Sequence, residues 1–293
     1  MSKFLGLTVN GLANGAILAL VALGFVLIYK ATEVVNFAQG QFLVIGAFMV
    51  FNATETWGLP WPAALVVGMA TGVLLGVVIE RLILRPLVGE STLSVIMVTI
   101  GLASALFAVV LLVWGTEPRP RPAFVPHESI RLPFDVNVSA DRIVAVVVAA
   151  VVLAGVGLFF QKSRHGVAMR AVADDQQAAM VQGISVNRIF AMAWGLAGAS
   201  GVIGGVLLAS ISSGYHAVDL AAFAIFVFPV VILGGLDSVI GTIAGGTIVG
   251  LLISYTSGYI GGGMEQVVPF VVLVLILLVK PYGLFGQVRI ERV

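Results

Sequence analysis

The sequence predicts an all-α, polytopic membrane helix bundle of eight or nine segments, some of them discontinuous, with a short helix outside the membrane. Hydrophobic residues make up 60% of the 293-residue chain, charged residues make up 10%, and the mean hydropathy is +1.12. A soluble domain is typically about one quarter charged, so this composition belongs to a chain that lies in lipid. We interpret residues 1–293 as a single integral membrane domain.

Nine uncharged blocks supply the candidate segments, and a spanning helix needs about 20 apolar residues. The blocks are residues 4–29, 34–54, 56–79, 91–116, 143–161, 189–218, 220–236, 238–264 and 266–279. Two blocks, 220–236 and 266–279, are short, and block 238–264 is long and broken by glycine, which favours discontinuous helices. Only Lys3 precedes the first block, and no small-residue cleavage site follows it. We therefore expect a first membrane helix there, not a removable signal peptide.

Lysine and arginine near the block ends predict the orientation. If the segments alternate, most of these cations fall on one side, which should be the cytoplasm. The cations on that side are Lys30, Arg81, Arg85, Lys162, Arg164, Arg170, Arg188, Lys280, Arg289 and Arg292. The N-terminus is then expected outside and the C-terminus inside. The proline-rich loop 115–142 becomes a stiff extracytoplasmic excursion, and loop 162–188 lies in the cytoplasm.

The cytoplasmic loop 162–188 carries the signals of a short helix over residues 175–182. Asp174 is a good N-cap, and Gln177 stands where the partner of a capping box belongs. Gly183 is well placed as the left-handed residue that ends the helix. A helix of about two turns needs a surface to dock against, and we expect Ala178 and Ala179 to form the small face that meets it. The alternative is a solvated connector between two membrane helices.

Rows of small residues at four-residue spacing predict close helix packing, because lipid supplies no hydrophobic drive for helices to associate. The rows are Gly11/Gly15, Gly68/Gly72/Gly76, Ala197/Gly201/Gly205, Gly241/Gly245 and Gly246/Gly250.

Two polar or glycine-rich interruptions suggest a translocation path. Amides open the second block at 36–41, and Pro229 precedes a glycine-rich stretch at 233–238 near the other end. Irregular backbone at membrane depth is tolerated only where protein buries it or where it lines a wet cavity, and paired interruptions point to a path between structural repeats. The candidate path residues are Asn36, Gln39, Gly40, Gly234, Gly235, Asp237 and Ser238. The alternative is that both stretches are ordinary interfacial caps.

Several functions lack the residues they require. No charged residue or histidine stands near the middle of a block, whereas ion-coupled transporters usually place one there, although some bind sodium through backbone carbonyls. No lysine follows a glycine, so the phosphate-binding loop of an ATPase is absent. The three histidines have no spaced partners, and the chain has no cysteine, so we expect no metal site, no bound cofactor and no enzymatic activity. A net charge of +1 does not favour nucleic acid. A pore without an energy source needs a partner that supplies one.

Across nearly its whole length the chain resembles the LivH-type permeases, membrane subunits of bacterial branched-chain amino acid ABC importers. The stretches that carry the resemblance are GFVLIY at 24–29, VNFAQG at 35–40, RPL at 85–87, TIGL at 99–102, RHGVAMRAVA at 164–173, GI at 183–184, LGG at 233–235 and KPYGLFG at 280–286. Each stretch is weak alone, and their order and spacing together are specific.

The resemblance implies a multi-pass protein of the bacterial inner membrane with four kinds of partner. These are a second related permease chain, two ATPase subunits that bind the ATP, a periplasmic substrate-binding protein, and the lipid bilayer. It also implies that residues 174–183 form the coupling helix that fits a groove on the ATPase. Many relatives carry His and Glu where this chain has Gln39 and Gln41. That departure leaves the substrate open, so an importer of urea or a short amide is one alternative. A stand-alone facilitator, from another class, is a second alternative, but it would leave the capped helix at 174–183 without a role.

Overall fold

The computed structural model describes residues 2–87, 89–132 and 136–286. Its α-helices are α1 Ser2–Thr32, α2 Gln39–Phe51, α3 Trp61–Ile79, α4 Thr92–Trp114, α5 Ala140–Lys162, α6 Arg164–Asp174, α7 Gln176–Val181, α8 Val186–Ile211, α9 Ala217–Ala224, α10 Val227–Gly234, α11 Val239–Tyr259 and α12 Met264–Val279. A π-helical turn, Asn52–Thr56, extends α2. A second π-helical turn, Glu80–Leu84, and a 3-10 turn, Arg85–Leu87, extend α3. Within the described residues, seven helical stretches are long and apolar enough to cross a membrane, and α12 is a shorter apolar helix. The chain is therefore a multi-pass, mainly helical protein.

Helix α1 is the centre of the bundle, and α8, α11 and α5 pack around it. From Ile17 to Ile28 its side chains are almost fully buried, on every face of the helix. A helix that is apolar all round is stable only where other protein surrounds it, and this explains why the most central helix shows no amphipathic stripe.

The rows of small residues form the helix contacts that the sequence predicts. Gly11 and Gly15 of α1 lie against Gly250 and Gly246 of α11, so these two helices run antiparallel with their backbones in contact. Helix α3 crosses α8 in the same way, and a Cβ atom added to Gly198 would overlap the carbonyl oxygen of Gly72. Only glycine permits this approach, which brings backbone atoms into van der Waals contact.

The helices alternate in direction along the chain. α1, α3 and α5 end on one side of the bundle, where α4, α8 and α11 begin. We call this side the Lys30 end, because Lys30 lies in the last turn of α1. The C-terminal segment returns to it, since the amides of Leu284 and Phe285 donate to the carbonyls of Leu233 and Gly234 at the end of α10.

The loop 115–142 lies at the opposite end and contains a small antiparallel hairpin that the all-α prediction did not include. Its strands are β1 Ser129–Leu132 and β2 Val136–Ser139; the predicted loop proline Pro133 lies outside the described residues. Arg119 exchanges two backbone hydrogen bonds with Tyr215, which fastens the loop to the α8–α9 connection. Burial, and secondly the charge of Glu55, raises the pKa of Tyr215 far above its usual value of about 10.

Candidate functional site

The first interruption separates α1 from α2 by a non-helical segment at residues 33–38. α1 ends at Thr32, and the φ of 58° at the next residue, Glu33, lies in the left-handed region. The chain then turns back into the bundle, where Asn36 and Gln39 are buried, with 0% and 2% of their surfaces exposed. Asn36 Oδ1 accepts from the amide of Ala38 at 3.0 Å, and Gln39 Nε2 donates to the carbonyl of Ala197 on α8 at 3.2 Å. Asn36 therefore stabilises the turn within its own segment, Gln39 fastens that segment to α8, and both side chains are buried in this conformation.

In the second half of the chain, one interruption lies between α9 and α10, at Ile225 and Phe226. Pro229 explains its position, because proline has no N–H to donate to the carbonyl of Ile225 four residues earlier. The amides of Ile225 and Phe226 instead bond three residues back, to Ala222 and Phe223. A second break lies at the predicted glycine stretch, where residues 235–238 separate α10, which ends at Gly234, from α11, which begins at Val239.

The interruptions at residues 33–38 and 225–226 meet in the folded chain. The rings of Phe37 and Phe228 stack with their centroids 4.8 Å apart. A Cβ atom added to Gly40 would lie 2.7 Å from the Cβ atom of Ala224. Beside Gly40, the Oε1 atom of Gln41 is buried and has no hydrogen-bond partner among the described residues. Sequence reasoning named Gly40 but missed the aromatic pair, whose members are 191 positions apart. It noted the amide of Gln41 but did not include Gln41 among the candidate path residues.

The predicted path residues at 234–238 have a different position. Gly234 and Gly235 are both buried. A Cβ atom added to Gly234 would overlap the backbone of Gly241, and one added to Gly235 would lie 2.5 Å from the amide nitrogen of Gly286. Asp237 and Ser238 are half-buried at the Lys30 end and join α10 to α11. These four residues therefore do not join Asn36, Gln39 and Gly40 in one site.

Helix α7 forms in the loop at the Lys30 end, one residue later than the capping pattern predicts. Asp175 is its N-cap, and the Oδ1 atom of Asp175 accepts from the amides of Gln177 and Ala178 at 2.8 and 2.9 Å. The prediction of Asp174 as N-cap, with Gln177 as its capping-box partner, is wrong because Asp174 is still the last residue of α6. Helix α6 itself was not predicted, although Gly166, Met169 and Val172 give it a buried face at three-residue spacing.

Gly183 ends α7 as the sequence predicts. Its φ is 80°, its amide donates to the carbonyl of Met180, and the amide of Ile184 donates to the carbonyl of Ala179. This pair of bonds is a Schellman motif, which satisfies carbonyls at the end of the helix. The helix is thereby a rigid, defined body in a loop that begins and ends in membrane-spanning helices.

The two faces of α7 are arranged differently from the prediction. Ala179 is 4% exposed and belongs to the main apolar core, so its side chain packs inside this chain. The expectation that Ala179 faces outward is wrong. Ala178 is exposed, and the largest exposed apolar groups of the helix are Met180 and Val181, at 54% and 84%. An exposed apolar pair on a doubly capped helix outside the membrane spans is a surface suited to another protein.

Comparison with known proteins identifies the family. The family model described as "Branched-chain amino acid transport system / permease component" matches residues 7–277. The chain belongs to this permease family. The permease protein BraD of a high-affinity branched-chain amino acid transport system from Pseudomonas aeruginosa is 29% identical over 97% of this chain and 96% of its own length. The corresponding permease protein LivH from Escherichia coli K12 is 28% identical over 99% of this chain and 98% of its own length.

Among solved structures, PsaBC from Streptococcus pneumoniae in complex with Fab is 17% identical and has a TM-score of 0.49, over 91% of this chain and 89% of that one. That likeness supports no further statement. The family match shows that the chain is a permease component, a membrane subunit of a transport system and not an enzyme.

Proposed function

We propose that the chain is the permease subunit of an ABC importer that moves branched-chain or similar amino acids across the bacterial inner membrane. The observation that carries the proposal is the family match over residues 7–277, together with full-length relatives named for branched-chain amino acid transport. Its partners are a second related permease chain, two ATPase subunits that bind ATP, and a periplasmic binding protein. The Lys30 end faces the cytoplasm, which puts the N-terminus outside and the C-terminus inside.

The substrate path in this proposal runs where the helix interruptions at residues 33–38 and 225–226 meet. The N-terminus of α2 lies there, and helix N-termini favour the carboxylate of an amino acid. The unpartnered Oε1 atom of Gln41 can accept from its ammonium group, and Phe37 and Phe228 offer an apolar surface to an aliphatic side chain. Gly40 lets α9 approach the start of α2 closely, since an added Cβ atom would lie 2.7 Å from the Cβ atom of Ala224. Asn36 and Gln39 hold this unwound segment in place from behind.

Helix α7 is the coupling helix of the proposal, with a changed docking face. The exposed groups of Ala178, Met180 and Val181 meet the ATPase, while Ala179 and the Schellman turn at Gly183 fix the helix to its own chain. Asp175 holds the first turn. A movement of the ATPase would then be transmitted as a rigid displacement of α7 to α6 and α8, on which its ends are fixed.

Uptake by cells that lack their own branched-chain amino acid importers tests the proposal. Such cells, supplied with this chain and the genes for its partners, should take up radiolabelled leucine, isoleucine or valine. The variant Gln41→Leu should lower the rate at least about tenfold, because a hydrogen bond to a charged group contributes roughly 1.5–3 kcal/mol. Gln266→Leu, at an exposed position of α12, is the matched control and should transport normally.

Uptake of urea or a short amide in place of the three amino acids would reject the substrate class and leave the importer intact. Leucine uptake by Gln41→Leu at the control rate, with equal amounts of assembled complex, would reject the path.

A further inference from the structure

A long groove on the side of the bundle has no role in the proposed transport cycle. It lies between α1, α5 and α11 and has a volume of about 820 Å³. On α5 its lining extends from Val146 to Gln161, about 22 Å along a helix that rises 1.5 Å per residue. That is more than the roughly 15 Å of one leaflet in a 30 Å hydrocarbon core. The groove is therefore long enough for an acyl chain.

Most of the groove is lined by apolar residues, and its charged residues lie at one end. Small residues form its floor: Gly15, Ala16, Ala19, Ala150, Ala154 and Gly157. The charged residues among its described lining, Lys30, Arg170 and Asp237, are located at the Lys30 end. An amino acid crossing the membrane would need polar partners along its whole path, whereas a phospholipid needs them only at its headgroup. The distribution of polarity therefore fits a lipid better than a transported substrate.

The polar end is built to receive an anion. The Nζ atom of Lys30 donates to the backbone carbonyl of Asp237 at 3.3 Å, which holds the ammonium at the groove and leaves it two further donors. Arg170 donates to the carbonyls of Phe160 and Gln161 at the end of α5 and retains unused N–H groups. Of the charged residues in this lining, two are cations and one is an anion, so the charge of the lining is positive on balance.

The start of α11 adds to this balance. α11 begins at Val239, immediately after the groove residue Ser238, whose Oγ atom accepts from the amide of Gly241. The positive end of its dipole is thus directed to the same place as Lys30 and Arg170. Basic pockets between membrane helices at the cytoplasmic face are suited to anionic lipid headgroups.

We infer that this groove binds one anionic phospholipid of the leaflet at the Lys30 end, with its phosphate between Lys30 and Arg170 and an acyl chain over the small residues of α1 and α5. The inference goes beyond transport and does not depend on which substrate the importer carries. A lipid in this position contacts α1, α5 and α11 together and also touches α6 through Arg170. It therefore joins the central helix to the segment that leads into α7.

Native mass spectrometry of the purified full chain in detergent tests the inference. The two probes are phosphatidylglycerol and phosphatidylcholine with identical acyl chains. The wild type should bind one phosphatidylglycerol at least about fivefold more tightly than phosphatidylcholine. Lys30→Gln should weaken phosphatidylglycerol binding about fivefold, since a basic residue near an anionic membrane surface contributes about that factor, and Lys30→Arg should restore it. Lys280→Gln, an exposed lysine that does not line the groove, is the matched charge control and should change nothing.

A second pair of variants tests the position of the acyl chain. Ala154→Phe fills the groove and should weaken the binding of both lipids, whereas Val151→Phe, on an exposed part of α5 outside the groove lining, should not. Equal affinity for the two lipids, or the same effect from Lys30→Gln and Lys280→Gln, would overturn the inference. It is also overturned if Ala154→Phe binds lipid as the wild type does, or if the groove is occupied by a second copy of the chain and carries no lipid.

Discussion

The exposed pair on α7 allows the coupling proposal to be tested with a single small substitution. Val181→Ala removes two methyl groups from a side chain that is 84% exposed in the isolated chain. If the ATPase covers this side chain fully, the lost burial is about 0.8 kcal/mol for each group, or about 1.6 kcal/mol in total. That corresponds to roughly fifteenfold weaker binding. Because Val181 makes little contact within its own chain, the stability of the permease should not change.

The measurement is the affinity of the purified ATPase subunit for this chain in lipid nanodiscs, with surface immobilisation of the nanodisc. Val151→Ala is the matched control, since Val151 is 66% exposed on a membrane-spanning helix and should face lipid. Ala179→Leu should instead destabilise the permease itself, because a larger side chain in the core costs about 1–3 kcal/mol of stability. An affinity for Val181→Ala within twofold of the wild type would refute the docking face. So would a Val151→Ala variant that binds equally weakly.

Three further predictions concern the bundle. Gly198→Ala should lower the thermal unfolding midpoint sharply because its new methyl group overlaps the backbone of Gly72, whereas Gly101→Ala, which meets nothing within 4 Å, should not; equal midpoints would contradict the packing. Gln39→Leu should cost about 1 kcal/mol in denaturant unfolding, the usual size of an interhelical hydrogen bond in membranes, and an unchanged stability would show that the amide holds nothing. Because the pKa of Tyr215 is raised, the folded state keeps a proton that the unfolded state loses above about pH 10. The stability of the wild type should therefore fall as the pH rises beyond 10, and Tyr215→Phe should remove this loss. Equal alkaline sensitivity in both proteins would exclude Tyr215 as its cause.

Local chemistry predicted helices and packing faces well, because these depend on neighbouring residues. The small residues at 11 and 15 had to face another helix closely, and they do. Spacing alone could not show that the partner is α11, which is more than 220 positions away in the sequence. The positive φ of Gly183 was likewise predictable, since a helix that stops before another helix needs a left-handed residue.

The errors occurred where packing or the extent of a neighbouring helix decided between local alternatives that the pattern could not distinguish. Asp174 and Asp175 are equally good caps, and the extension of α6 through Asp174 selects the second. Gly234 and Gly235 were interpreted as part of a break at membrane depth, but the break after Gly234 lies at the Lys30 end, where both glycines make close contacts with Gly241 and Gly286. Ala179 was expected to face outward because its smallness suits any packed surface, and the sequence does not say on which side that surface lies.

The most direct test of the proposed function is amino acid uptake by proteoliposomes that contain this chain with its second permease and two ATPase subunits. Substrate-loaded binding protein is added outside, and ATP is enclosed inside the vesicles. The proposal requires that radiolabelled leucine accumulate above its external concentration only when both ATP and binding protein are present. Vesicles made with this chain alone should show no uptake. Leucine entry through the chain alone, without ATP and without accumulation, would contradict the proposal and show a stand-alone facilitator.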